Sequence, residues 1–98
     1  MRLLLVDAGL AEPSLYVDVH VDGGSLACVD LAYPALRIAI EYEGDQHRTD
    51  PEQWARDIRR YEDLAAAGWI VVRITKTDLF SSPEQVVARV RRAISRRS

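Results

Sequence analysis

Glu41 and Glu43 stand two residues apart at the end of an apolar run, Ile38-Ala39-Ile40-Glu41-Tyr42-Glu43, and Gly44, Asp45, Gln46 and His47 follow at once. In an extended strand alternate side chains share a face, so the two carboxylates project together, roughly 6–7 Å apart, while Ile38, Ile40 and Tyr42 face a core. Two like charges held side by side are costly unless a cation or a proton sits between them. The stretch therefore predicts a metal site at the end of a buried strand, with a solvent-facing polar strand end as the plainer alternative.

The flanking elements must position these groups. Leu3, Leu4, Leu5, Val6 and Leu10 predict a short apolar helix over residues 2–10, ended by Gly9 with Pro13 beyond it. Leu15, Val17, Val19 and Val21 alternate with polar residues as in a half-buried strand, Asp22-Gly23-Gly24 turns the chain, and residues 25–32 return. His20 reads as a surface strand residue between Asp18 and Asp22. Asp30 is a lone acid among apolar neighbours near the end of the returning strand, and such an acid needs a partner. If the second and third strands pair, about 4.8 Å apart, Asp30 and Glu41 can converge on one cation. Carboxylate oxygens without a thiolate favour magnesium or manganese over zinc.

Asp50-Pro51-Glu52-Gln53 has the composition of a capped helix start, with Gln53 able to close a capping box. The helix that follows carries Trp54, Ile58, Tyr61, Leu64 and Ala65 on one stripe and stops at Gly68, with Arg56, Asp57 and Arg60 in its first turns, nearest the acidic loop. Residues 69–74, Trp-Ile-Val-Val-Arg-Ile, suit a central strand covered on both sides, with Trp69 in the core. A last helix begins near Ser82-Pro83 and buries Val86, Val87, Val90 and Ile94.

The 98 residues, 48% hydrophobic and 29% charged, are enough for one domain, 1–98, with one core. Cys28 is the only cysteine, which excludes a disulfide framework and a cysteine-based zinc site. No apolar run approaches the roughly 20 residues needed to cross a bilayer, and Met1-Arg2-Leu-Leu-Leu-Val6 meets Asp7 with no small-residue cleavage site, so a cytoplasmic protein is expected. The net charge of −2 hides an acidic centre and a basic end, Arg89, Arg91, Arg92, Arg96 and Arg97. The basic end suits either phosphate contact or a helix whose last turns complement its own dipole.

The layout and the residues Asp30, Glu41-Tyr42-Glu43, Gly44 and His47 resemble the PD-(D/E)XK nuclease superfamily, and specifically its Vsr-like branch of small bacterial endonuclease domains. The segments Val29–Ala32, Ala39–Arg48, Arg56–Arg60 and Gly68–Arg73 all look like that branch, and the likeness runs from about Arg2 to the last helix. The resemblance implies an α/β (α+β), restriction-endonuclease-like core of order αβββαβα, with a mixed four-stranded sheet flanked by helices. It implies a metal-dependent DNA endonuclease that hydrolyses phosphodiester bonds with magnesium or manganese. Asp30 and Glu41 would ligate the metal, with the Tyr42 carbonyl as a third protein ligand. Glu43 stands where the superfamily usually has lysine, and a glutamate there can accept a proton or bind a second cation. His47 would serve as general base or polarise the phosphate.

On this reading Arg48, Arg56 and Arg60 grip flanking phosphates of DNA, with no membrane involved. The first helix departs from the branch, having no acid before Asp7 where relatives often carry one. Relatives are frequently longer, with an extra N-terminal domain, so the resemblance implies either the catalytic end of such an architecture or a short form, with a further domain or a homodimer partner alongside. The alternative function is a catalytically silent nucleic-acid-binding module of a toxin–antitoxin or phage-defence protein. A structural or dimerisation domain that retains a nuclease fold is a further possibility.

Overall fold

The apolar alternation of the strands and the 3.6-residue stripe of the last helix account for most of the architecture. The structure, a computed structural model, describes residues 1–20, 26–43 and 51–97. In chain order these form α1 (Arg2–Asp7), β1 (Ser14–His20), β2 (Leu26–Tyr33), a 3-10 turn (Pro34–Leu36), β3 (Ile38–Glu43), α2 (Pro51–Ala66), β4 (Ile70–Thr75), α3 (Lys76–Ser81) and α4 (Pro83–Arg97). The expected Asp22-Gly23-Gly24 turn and Asp50 cap lie outside the described residues, as do Gly44, Asp45, His47 and Arg48. Among the described residues no helix is long and apolar enough to cross a membrane.

The four strands lie in the order β1-β2-β3-β4. β1 pairs with β2 and β2 with β3 antiparallel, whereas β3 and β4 are parallel, with α2 in the connection between them. The result is a mixed four-stranded sheet flanked by helices, the restriction-endonuclease-like α/β core. On one face Ile38, Ile40, Val72 and Ile74 pack with Leu5 of α1 and Val86 and Val90 of α4. On the other Val19, Val29, Ala32 and Ala39 pack with Leu64 of α2.

The structure corrects three expectations. β4 is an edge strand of this sheet rather than a central one, because an apolar run reports coverage of a strand's faces and says nothing of its lateral neighbours. Trp54 and Ile58 are 56% and 42% exposed, and Leu64 is the one buried residue of α2, so the predicted stripe is docked at its C-terminal end. Gln53 bonds along its own helix, donating to Asp57 at 3.1 Å and accepting from Arg56 at 3.0 Å, and the cap it was expected to close lies outside the described residues. Tyr42, expected in the core with Ile38 and Ile40, is exposed, because β3 outruns its helix cover at that end.

A further difference matters for the site. A regular strand would keep residues 27, 29, 31 and 33 on one face, yet Ala27 and Val29 pack on the α2 side and Leu31 and Tyr33 on the α1/α4 side. β1 turns over with β2, since the register is the same on both sides of the break, Leu15 against Leu31 and Val17 against Val29. Between those rungs lie Asp30 and Tyr16, and Tyr16 has a left-handed backbone with φ 50°. Asp30 therefore sits at the point where the hairpin exchanges its faces.

In a folded protein most of a helix's stability comes from tertiary packing, so α2 depends on Leu64, its buried residue. Leu64→Ala is expected to cost about 2–5 kcal/mol of stability, read as a drop in the denaturant midpoint, and to loosen every contact that α2 delivers to the sheet.

Candidate active site

Glu41 is 5% exposed, the one buried charged residue among the described residues. Its position on β3 turns it toward α2, where Arg60 lies, and Nη2 of Arg60 approaches Oε1 of Glu41 to 2.5 Å. The same nitrogen donates to the Cys28 carbonyl of β2. Among the described residues, the buried Glu41 Oε1 has this close ion-pair contact but no hydrogen bond of good geometry. Burial pushes the Glu41 carboxyl above its ordinary range, the Arg60 guanidinium pulls it back, and the neighbouring Asp30 carboxylate pushes it up again.

Asp30 reaches this point from β2. The described rungs between β2 and β3 run from Tyr33↔Ile38 to Leu31↔Ile40. At the next position the Asp30 side chain accepts from the Tyr42 backbone N–H at 3.0 Å, where a strand carbonyl would otherwise serve. The side chain thus ends the ladder and holds the two strand ends beside each other. Asp30 lies near enough to Glu41 for its charge to act on that carboxyl, while its own hydrogen bond is to the Tyr42 amide.

Glu43 shares the α2-facing side of β3 with Glu41 but is engaged separately. Its Oε1 accepts from the Tyr61 hydroxyl at 3.1 Å and pairs with Arg73, whose guanidinium lies 4.1 Å from the centre of the Tyr61 ring. Each glutamate thus has its own guanidinium. The cation that two adjacent carboxylates require is supplied here by Arg60 and Arg73. Among the described residues no three His, Cys, Asp or Glu side chains gather closely enough to hold a metal ion.

Arg73 and Tyr61 are the site residues that sequence reasoning missed. Arg73 was one charge in an apolar strand, and only the parallel register that sets it against Glu41 shows its place. Tyr61 read as part of an apolar stripe, although its hydroxyl needs a polar partner. Arg56 is exposed on α2, while His47 and Arg48 lie outside the described residues. Three of the terminal arginines are spent internally: Arg89 donates to the Arg73 carbonyl, Arg91 to that of Ala8 at the end of α1, and Arg97 to that of Gly68.

The family model REase_MTES_1575 matches residues 9–94. The chain belongs to the REase_MTES_1575 family. It is a distant relative of the PD-(D/E)XK, restriction-endonuclease-like proteins, and the match spans the whole sheet with α2, α3 and most of α4. Two Mycobacterium tuberculosis proteins, the uncharacterized protein MT2308 of strain CDC 1551 / Oshkosh and the uncharacterized protein Rv2248 of strain ATCC 25618 / H37Rv, are each 36% identical to it over 95 residues. Those matches cover 97% of this chain and 35% of each relative, so the chain spans about a third of their length. No solved structure gives a significant match.

The upward shift at Glu41 has a definite sign. The native state holds the proton to a higher pH than the unfolded chain does. The contribution to stability is full below the ordinary glutamate range and is lost as pH rises through the raised value. In chelator, Glu41→Gln should therefore melt higher than wild type at neutral pH and level with it near pH 4, about the unperturbed value. A mutant that is less stable at neutral pH would mean that attraction to Arg60 outweighs the cost of burial.

Proposed function

We propose that this chain is a magnesium- or manganese-dependent endodeoxyribonuclease domain of the Vsr-like branch of the PD-(D/E)XK nucleases. The observation that carries the reading is a buried Glu41 carboxylate with an undirected oxygen, set beside Asp30 where β2 and β3 part. The donor set fits a hard cation: two carboxylates, with a guanidinium standing in the position that a metal would contest. Asp30, Glu41 and the Tyr42 carbonyl would hold the ion. Glu43 joins them only after parting from Arg73 and Tyr61. A bound ion supplies Lewis acidity, which lowers the pKa of a water and offsets charge on the scissile phosphate.

The chain's own residues would do the rest. Glu43 or His47 takes the proton of the attacking water. Arg60, freed from Glu41, turns its charge to the phosphate, and Arg48 and Arg56 grip the backbone on either side. A DNA partner reached through arginines implies affinity that falls steeply with salt.

A second reading is favoured by the two internal ion pairs. With Arg60 on Glu41 and Arg73 on Glu43, the site is already neutralised, as in a silent nucleic-acid-binding module of a toxin–antitoxin or phage-defence protein. Incubation with supercoiled and single-stranded DNA in magnesium, manganese or chelator separates the two. Nicking that needs a divalent ion and disappears in Glu41→Ala supports the nuclease. Binding that is unchanged in chelator, with no cleavage under either ion, supports the silent module.

Thermal melts give an independent reading. An ion at ten times its dissociation constant should stabilise the wild type by about 1.4 kcal/mol, raising the midpoint by roughly 5–10 °C. Glu41→Gln should abolish that rise. An equal rise in both proteins would place the ion elsewhere.

A further inference from the structure

The sheet face opposite α2 carries a cavity of about 450 Å³ whose other lining residues, beyond Asp30 and Tyr42, have no part in the cleavage chemistry. Its size falls within the range of small-ligand sites. Leu15, Leu31 and Leu79 give it an apolar floor, and Tyr16, Tyr42 and Asp30 also line it. Asp30 and Tyr42 are thus common to the cavity and to the candidate active site.

We infer that this cavity receives an unpaired nucleobase of the DNA, next to the bond that is cut. The inference rests on the nuclease reading and adds the kind of DNA that the site takes. Two features favour a base over another occupant. The first is aromatic: Tyr16 is 73% exposed and Tyr42 39% exposed, so both present ring surface to the solvent beside an apolar floor. Bases of any sequence stack on such rings. Tyr16 also holds a left-handed backbone, φ 50°, an unfavoured conformation for an aromatic residue and one of the kind that clusters at functional sites.

The second feature is continuity with a phosphate site. Arg2 lines the same cavity, in an exposed pair with Glu12 at 2.6 Å. Exposed pairs are weak and exchange readily for another anion, here the phosphate of the bound nucleotide. Tyr42 links the two places, with its backbone N–H on Asp30 and the residue itself lining the cavity. A base inside a duplex cannot reach such a pocket, so the substrate would be single-stranded, mismatched or locally opened DNA.

The test uses the full chain in chelator and measures binding by anisotropy. The probes are a labelled oligothymidylate and a strand of equal length made wholly of abasic sites. Wild type should bind the thymidylate strand roughly ten- to a hundredfold more tightly than the abasic strand, the range expected for one stacked base. Tyr16→Asn should remove that preference and leave the abasic affinity unchanged. Asparagine tolerates a left-handed backbone, so this variant tests the ring without straining the fold. Tyr16→Phe should restore the preference.

Equal affinity of wild type for both strands, or a preference that survives Tyr16→Asn, would overturn the inference. In that case, metal-dependent cleavage of the same thymidylate strand would leave the nuclease reading standing. Binding to neither strand, with no cleavage, would overturn both.

Discussion

The structure turns on one carboxylate that has been taken out of water. Glu41 sits at the end of β3 under α2, and an ionised acid in that position must be matched by a cation or hold its proton. Arg60 supplies the match, and it does so only because Leu64, one turn further along α2, anchors the helix to the sheet. The guanidinium also takes the Cys28 carbonyl, tying α2 to β2. Helix position, strand spacing and the charge state of Glu41 are therefore a single problem. Among the described residues, Arg60 compensates the charge without giving the Oε1 oxygen a well-aligned hydrogen bond.

The sheet solves a second problem on the same strands. β2 must pair with β3 to place Asp30 beside Glu41, then leave it so that the two acids are not buried under a continuous ladder. Asp30 does both by taking the Tyr42 amide with its own side chain. At the same residue the β1–β2 hairpin exchanges faces, with Tyr16 opposite in a left-handed conformation. Glu41 and Glu43 thus face the α2 side, while the cavity opens on the α1/α3 side, and Asp30 and Tyr42 border both.

Much of this was legible in the chain. The alternation of Ile38 to Glu43 gave the correct strand and set Glu41 and Glu43 on one face, and the valine stripe of α4 is buried as its spacing predicts. Asp30 stood out because an acid among Val29, Leu31 and Ala32 needs a partner. What stayed hidden depends on tertiary pairing. Arg73 looked like a lone charge in a core strand until the parallel register put it near Glu41 and Glu43. Helix α3 is six residues closed by a capping box between Thr75 and Asp78, too short to leave a periodic signal. The face exchange at Asp30 leaves the alternation of polar and apolar types intact, so period alone could not report it.

A direct test of the central claim is to locate manganese in crystals by its anomalous scattering. The account predicts a peak between the Asp30 and Glu41 carboxylates, within contact of the Tyr42 carbonyl, with Arg60 withdrawn from Glu41. No peak there at saturating manganese, with Arg60 still paired to Glu41, would contradict it.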